Sequence, residues 1–222
     1  MPTIAENLQL VKQRVAHAAE RAGRNPSTVT IVGVSKTFPP EVIIEAYQAG
    51  LRHFGENRVQ EAQAKRPDLV SLSGVTWHLV GHLQSNKAKA ASELFDVIHS
   101  VDSLKLAETL ERHAQRSVSL LLEVNVAGEA SKFGVPPEEV HALVEGISGL
   151  SKVRAVGLMT VAPVVSNPEE ARPVFRKLRE LACSLGLTEL SMGMTDDFEV
   201  AIEEGATMVR IGRAIFGARP TA

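Results

Sequence analysis

The sequence predicts a closed (β/α)8 barrel with an extra helix at its N-terminus. Three observations support this. Eight runs have strand length, helical patterns fill most of the gaps between them, and polar or charged residues gather where several of the strands end. An open doubly wound sheet is the competing architecture. It normally has fewer strands in a chain of 222 residues, and no G-x-G-x-x-G follows the first strand.

The elements run as follows. An amphipathic pattern over 3–23 opens the chain as a helix outside the strand count. Strands are expected at 29–36, 53–57, 76–81, 96–102, 119–126, 155–160, 188–194 and 207–212. Helices are expected at 40–50 and 136–149, each opening on proline and closing on glycine. Another covers 57–67 and stops at Pro67. A helix over 103–116 follows Asp102, a candidate cap, and a long one covers 168–186. The last, 196–205, follows Thr195, a second candidate cap. The stretch 161–170, rich in Pro, Ser and Asn, reads as a loop, and no second domain is visible in 1–222.

Composition narrows the function. Apolar residues make up 44% and charged residues 23%, as in ordinary globular proteins. A net charge of -2 argues against a general nucleic-acid binder. No apolar run approaches the roughly 20 residues that cross a membrane, and the N-terminus carries acids where a secretory signal would not. With one cysteine, Cys183, an intramolecular disulfide is impossible and a cytoplasmic location is expected. Cys183 lies in a helical pattern and is expected to pack.

Alternation then singles out Lys36. In a barrel strand every second residue faces inward. Val32, Val34 and Lys36 share one face of the first strand, opposite Ile31, Gly33 and Ser35. Lys36 comes last, at the end where barrel active sites are built. It is either a lysine that extends to water, or an amine in a partly desolvated pocket, suited to Schiff-base chemistry.

The other strand ends add to this. The second offers Glu56 and Asn57. The third offers Trp77, His78, His82, Gln84, Asn86 and Lys87, with no acidic partner in a metal-ligand pattern. In the fifth, Glu123 and Asn125 share a face, either in a buried polar network or as direct ligands. Near the end of the chain, Ser191, Gly193 and Gly212 would form an anion cradle, with Arg210 inward and Arg213 beyond it. A phosphorylated aldehyde satisfies both a lysine and an anion cradle. Pyridoxal 5'-phosphate is the obvious one, with Arg210 as partner of its ring nitrogen.

Six segments together resemble a known family: VSKT (34–37), HFGENRVQE (53–61), WHLVGHLQSNK (77–87), EVNVAGEASKFG (123–134), GLM (157–159) and the long stretch 191–217. The chain is identified on them as a member of the YggS/PROSC-type pyridoxal-phosphate homeostasis proteins, similar to the barrel domain of bacterial alanine racemase. The tail after Gly217 looks like tolerated variation. The resemblance implies that Lys36 holds the cofactor as a Schiff base and Arg210 faces the pyridine nitrogen. It also implies that Ser191, Gly193, Gly212 and Arg213 hold the phosphate, that Asn57 lies near the ring, and that Met192 and the third-strand segment line the pocket. It implies a role in vitamin B6 homeostasis and cofactor supply, with apo-forms of PLP-dependent enzymes as the partners that receive it, and no efficient catalysis.

The residues bear on that last point. A two-base racemase needs an acid/base group on each face of the cofactor. The one tyrosine, Tyr47, falls in an outer helix, and no C-terminal β domain follows to cover the mouth. A non-catalytic, monomeric cofactor binder is expected, with weak amino-acid racemisation as its upper limit. The alternative is an aldolase-like barrel enzyme using Lys36 on a phosphorylated aldehyde or ketone. Lys132 either pairs with Glu129 or stands near the mouth and takes up cofactor transiently.

Overall fold

A computed structural model describes residues 2–129 and 132–218. The tail beyond Ala218 and the centre of the 127–134 loop lie outside the described residues. Eight parallel strands close into a barrel in sequential order: β1 (Thr30–Val34), β2 (His53–Glu56), β3 (Thr76–Leu79), β4 (Val97–Val101), β5 (Val118–Glu123), β6 (Val153–Met159), β7 (Glu189–Met194) and β8 (Met208–Ile211). β1 closes the ring on β8, with Val32 opposite Arg210. The helices are α1 (Ile4–Arg21), α2 (Pro40–Gln48), α3 (Val59–Lys65), α4 (Ala88–Leu94), α5 (Leu104–His113), α6 (Val140–Ser148), α7 (Arg172–Ser184), α8 (Phe198–Glu203) and α9 (Arg213–Phe216). None among the described residues is long and apolar enough to cross a membrane.

The eight expected strands are all present, within a few residues at each end. α1 begins with a reciprocal cap. Thr3 accepts from the Glu6 amide and the Glu6 carboxylate accepts from the Thr3 amide, satisfying two donors the helix cannot pair itself. α1 lies against α8 and α9, tied by Arg14 to Glu199 at 3.2 Å and by Asn7 to the Ile215 carbonyl at 3.0 Å.

Some local expectations are corrected. β1 stops at Val34, and Lys36 stands in a turn beyond it. α4 escapes sequence reading because its buried face is built of Ala88, Ala91 and Ser92, which have helical spacing but side chains too small or polar to give a clear hydrophobic signal. Ser103 rather than Asp102 caps α5, through its side chain. Asp197 rather than Thr195 is the first residue of the α8 cap, and its carboxylate accepts from the Met194 amide. Cys183 is exposed. It follows Ala182, which shares the inner face of α7 with Phe175 and Leu178, and one residue turns the helix by about 100°.

Apolar burial falls into two layers. The larger lies between sheet and helices and includes Phe54, Phe175, Phe198 and Met192. The smaller fills the barrel with Val97, Leu121 and Met159. The interior also holds polar groups, including His78, His99, Ser191 and Arg210, all buried. A barrel interior containing these groups requires partners for each of them.

Candidate functional site

At the C-terminal ends of the strands a cavity of about 370 Å³ opens. It is lined by Val34, Lys36, Asn57, Val80, Val161, Met194, Thr195, Asp196, Arg210, Gly212 and Arg213. Roughly 300–1,000 Å³ is the usual size of a small-molecule pocket. Val34, Val80 and Val161 supply an apolar surface, and Lys36, Arg210 and Arg213 supply cationic groups. Gly212 adds no side chain to the wall, although a Cβ there would meet only ordinary contact, 3.5 Å from the Val34 carbonyl oxygen. Arg213 pairs with Asp196 at 2.7 Å on the rim.

Arg210 is fixed from below. Its Nη1 donates to the Ser191 carbonyl at 2.8 Å and to Ser191 Oγ at 2.6 Å, and its Nη2 donates to the Thr160 carbonyl at 2.8 Å. Burial pushes its pKa down to about 10, against the pull of Asp197 and Glu123, so it remains a cation at neutral pH. Burial also pushes the Glu123 carboxyl up to about 7, although Arg210 draws it down.

Behind Ser191 runs a chain of imidazoles. Ser191 Oγ meets His99 Nδ1 at 2.9 Å, His99 Nε2 meets His78 Nδ1 at 2.9 Å, and His78 Nε2 meets His53 Nδ1 at 3.0 Å. Burial pushes His78 down to about 3 and His99 well below the usual histidine value, and His53 is lowered for the same reason. The chain is therefore neutral at physiological pH. Arginine has only donors, so Ser191 Oγ accepts from Arg210, and its own proton is free to be donated to His99.

Five of the eight expected site residues come together at the cavity: Lys36, Asn57, Arg210, Gly212 and Arg213. Ser191, Met192 and Gly193 do not line it. The Ser191 hydroxyl is engaged by Arg210 and His99, and Met192 packs in the helix layer. Gly193 has φ +89° and faces α8, where a Cβ would lie 2.5 Å from Ala201 Cβ. The register of β7 against β8 shifts between Ser191 and Met194. That bulge reverses the alternation and brings Met194 and Thr195 to the cavity instead.

Sequence reading passed over the histidine chain except for His78, yet alternation was enough to find it. His53, His78 and His99 all occupy inward positions of successive strands. Tyr47 lies on α2, its hydroxyl donating to the Ser73 carbonyl at 3.2 Å, and is not among the cavity residues. His82 stacks on Phe133 at 4.0 Å. Lys132 pairs with Glu129 at 2.7 Å and donates to the carbonyl of Val161, a cavity residue, at 3.3 Å. The expected pairing with Glu129 is present, and the bond to Val161 sets the pair beside the rim.

Residues 3–220 match the family model described as alanine racemase, N-terminal domain. A relative from Pseudomonas aeruginosa named pyridoxal phosphate homeostasis protein is 47% identical, over 99% of this chain and 97% of its own. The structure of PipY from Synechococcus elongatus with PLP bound superposes with a TM-score of 0.84 at 43% identity, covering 97% of this chain and 100% of that one. An alanine racemase from Clostridium difficile shares the fold alone, with a TM-score of 0.75 at 14% identity over 97% of this chain and 57% of that one.

Proposed function

The chain belongs to the family of pyridoxal phosphate homeostasis proteins, built on the alanine racemase N-terminal barrel, and from that premise we propose that it binds pyridoxal 5'-phosphate at Lys36. It acts as a cytoplasmic, monomeric store and source of the cofactor, without efficient catalysis. One observation carries the reading: a primary amine, a buried guanidinium and a second, rim cation border one small cavity with an apolar wall.

The residues fit the group. The cofactor supplies an aldehyde that condenses with a primary amine, next to an aromatic ring and a phosphate. Lys36 provides the amine. Arg210 offers the ring nitrogen a donor that never accepts a proton, held in place by Ser191 and Thr160. Val34, Val80 and Val161 offer the apolar surface a ring needs, and Asn57 a polar neighbour for it. Thr195, Gly212 and Arg213 are suited to the phosphate, by hydroxyl, open backbone and charge. Thr195 here takes the part that sequence reading assigned to Ser191.

The same residues argue against efficient turnover. Besides Lys36, the ionisable groups lining the cavity are Asp196, Arg210 and Arg213, and Asp196 is paired with Arg213. None is suited to serve as the second base opposite Lys36. Release to apo-forms of PLP-dependent enzymes follows as the use of such a store, and Lys132 stands at the rim through which the cofactor would leave.

The test is the visible spectrum of the protein with added pyridoxal phosphate, wild type beside Lys36→Ala, followed by borohydride reduction and mapping of the adduct. A yellow wild type labelled on Lys36, and a variant without that label, is the expected result. A wild type that stays colourless overturns the reading and favours an enzyme acting on a phosphorylated aldehyde or ketone. Racemisation of alanine or serine at enzyme-like rates would overturn the non-catalytic part.

A further inference from the structure

Lys36 sits in an unusual turn. The Phe38 amide donates to the Ser35 carbonyl at 3.1 Å, closing a four-residue turn with Lys36 and Thr37 at its centre. Thr37 has φ +70° and is the single non-glycine residue with positive φ among the described residues. Positive φ at the third position is the mark of a type II turn, which normally places glycine or asparagine there. A β-branched residue in this region is strained and persists only when its surroundings hold it.

Those surroundings are charged and come from β2 and α3. The Thr37 amide donates to Glu61 Oε1 at 2.5 Å. Lys65 Nζ donates to the same Glu61 oxygen at 2.6 Å, to Glu56 Oε1 at 2.9 Å and to the Ser35 carbonyl at 3.0 Å, which uses all three of its protons. Ser35 Oγ donates to Glu56 Oε1 at 2.7 Å. Both neighbours of Lys36 are thus tied to one triad. Glu56 is fully buried and Lys65 nearly so, and neither they nor Glu61 line the cavity.

We infer that Glu56, Glu61 and Lys65 form a latch that holds the Ser35–Phe38 turn in its strained form, and so aim the Lys36 amine into the cavity. They are positioning residues. Without the latch, Thr37 relaxes to negative φ by rotation of the Lys36–Thr37 peptide, which turns the Thr37 amide away from Glu61 and leaves the root of the Lys36 stem without a fixed support. The inference rests on Lys36 being the cofactor lysine.

The test uses Glu61→Ala and Thr37→Gly, singly and together. Glu61 is the most exposed member of the triad, so its removal leaves the Glu56–Lys65 pair in place. In protein without cofactor, amide exchange at Thr37 should speed up about tenfold or more in Glu61→Ala. With pyridoxal phosphate, capture on Lys36, followed by absorbance and by borohydride-fixed adduct, should slow by a similar factor. Thr37→Gly alone should behave as wild type, because glycine takes positive φ without support. The double variant should therefore regain most of the capture rate, which a general loss of stability would not allow. Glu61→Gln keeps an acceptor oxygen and should stay close to wild type. Unchanged exchange in Glu61→Ala, or a double variant as slow as the single, overturns the latch. A wild type that never labels on Lys36 overturns the cofactor reading instead, and the exchange measurement still decides whether the turn is latched.

Discussion

The two walls of the cavity are supported in opposite ways. On the β1–β2 side, Lys36 stands on a triad of charges, Glu56, Glu61 and Lys65, beneath a strained turn. On the β7–β8 side, Arg210 stands on a neutral chain, Ser191, His99, His78 and His53. The difference follows from what each wall must hold. A flexible lysine stem needs a fixed root, and charge-assisted hydrogen bonds fix the backbone strongly. A buried guanidinium already carries its charge, and a second cation nearby would oppose it. Histidines kept neutral by burial extend the chain behind Ser191, which accepts from Arg210, without that penalty.

The largest expected effect breaks the charged wall. Lys65→Met leaves Glu56 fully buried with its carboxylate uncompensated, and should cost about 3–5 kcal/mol in denaturant unfolding. Adding Glu56→Leu should restore much of that loss, because removing both charges of a buried pair is far less costly than removing one. A double variant no more stable than Lys65→Met would mean that the pair is not coupled as its geometry indicates.

A smaller effect belongs to the neutral wall and depends on pH. The folded-state pKa of His78 lies near 3 against an ordinary 6.5, so between these values the unfolded chain binds more protons. Stability tied to His78 is complete above pH 6.5 and is lost as pH falls below it, by about 2 kcal/mol at pH 5. Glu123 works in the other sense. Its pKa is raised from 4.5 to about 7, so its contribution is complete below pH 4.5 and is lost as pH rises through 7. The histidine effect is therefore best read in a Glu123→Gln background. There, His78→Gln should remove about 2 kcal/mol of the stability difference between pH 7 and pH 5. An unaltered difference would show that His78 is not held neutral.

The smallest effect changes no stability and sharpens the contrast. Arg210 can only donate, and the Ser191 proton has His99 Nδ1 as its partner, so hydrogen bonds running one way from Arg210 through Ser191 to His99, His78 and His53 are expected. Long-range proton–nitrogen NMR should find all three imidazoles protonated on Nε2 with Nδ1 bare. A proton on Nδ1 of His99 would reverse the imidazole chain, with Ser191 Oγ accepting from both His99 and Arg210.

Much of this was legible in the chain. Eight strand-length runs, helices bounded by proline and glycine, and strict alternation located Lys36 and Arg210 on the inward side, and the same alternation would have gathered His53, His78 and His99. These are consequences of local backbone geometry, which repeats every two or 3.6 residues whatever surrounds it. Alternation would also have placed Met192 outward, where it is found, against the pocket role that the family resemblance implied. The tertiary structure alone decided the rest. The bulge after Ser191 reverses which side chains reach the cavity, exchanging Gly193 for Met194 and Thr195. The triad under Lys36 joins Ser35 and Thr37 to Glu56, Glu61 and Lys65, residues 20 to 30 positions apart. Neither leaves a periodic signal, because a bulge depends on how the neighbouring strand is paired and a buried charge on what folds over it.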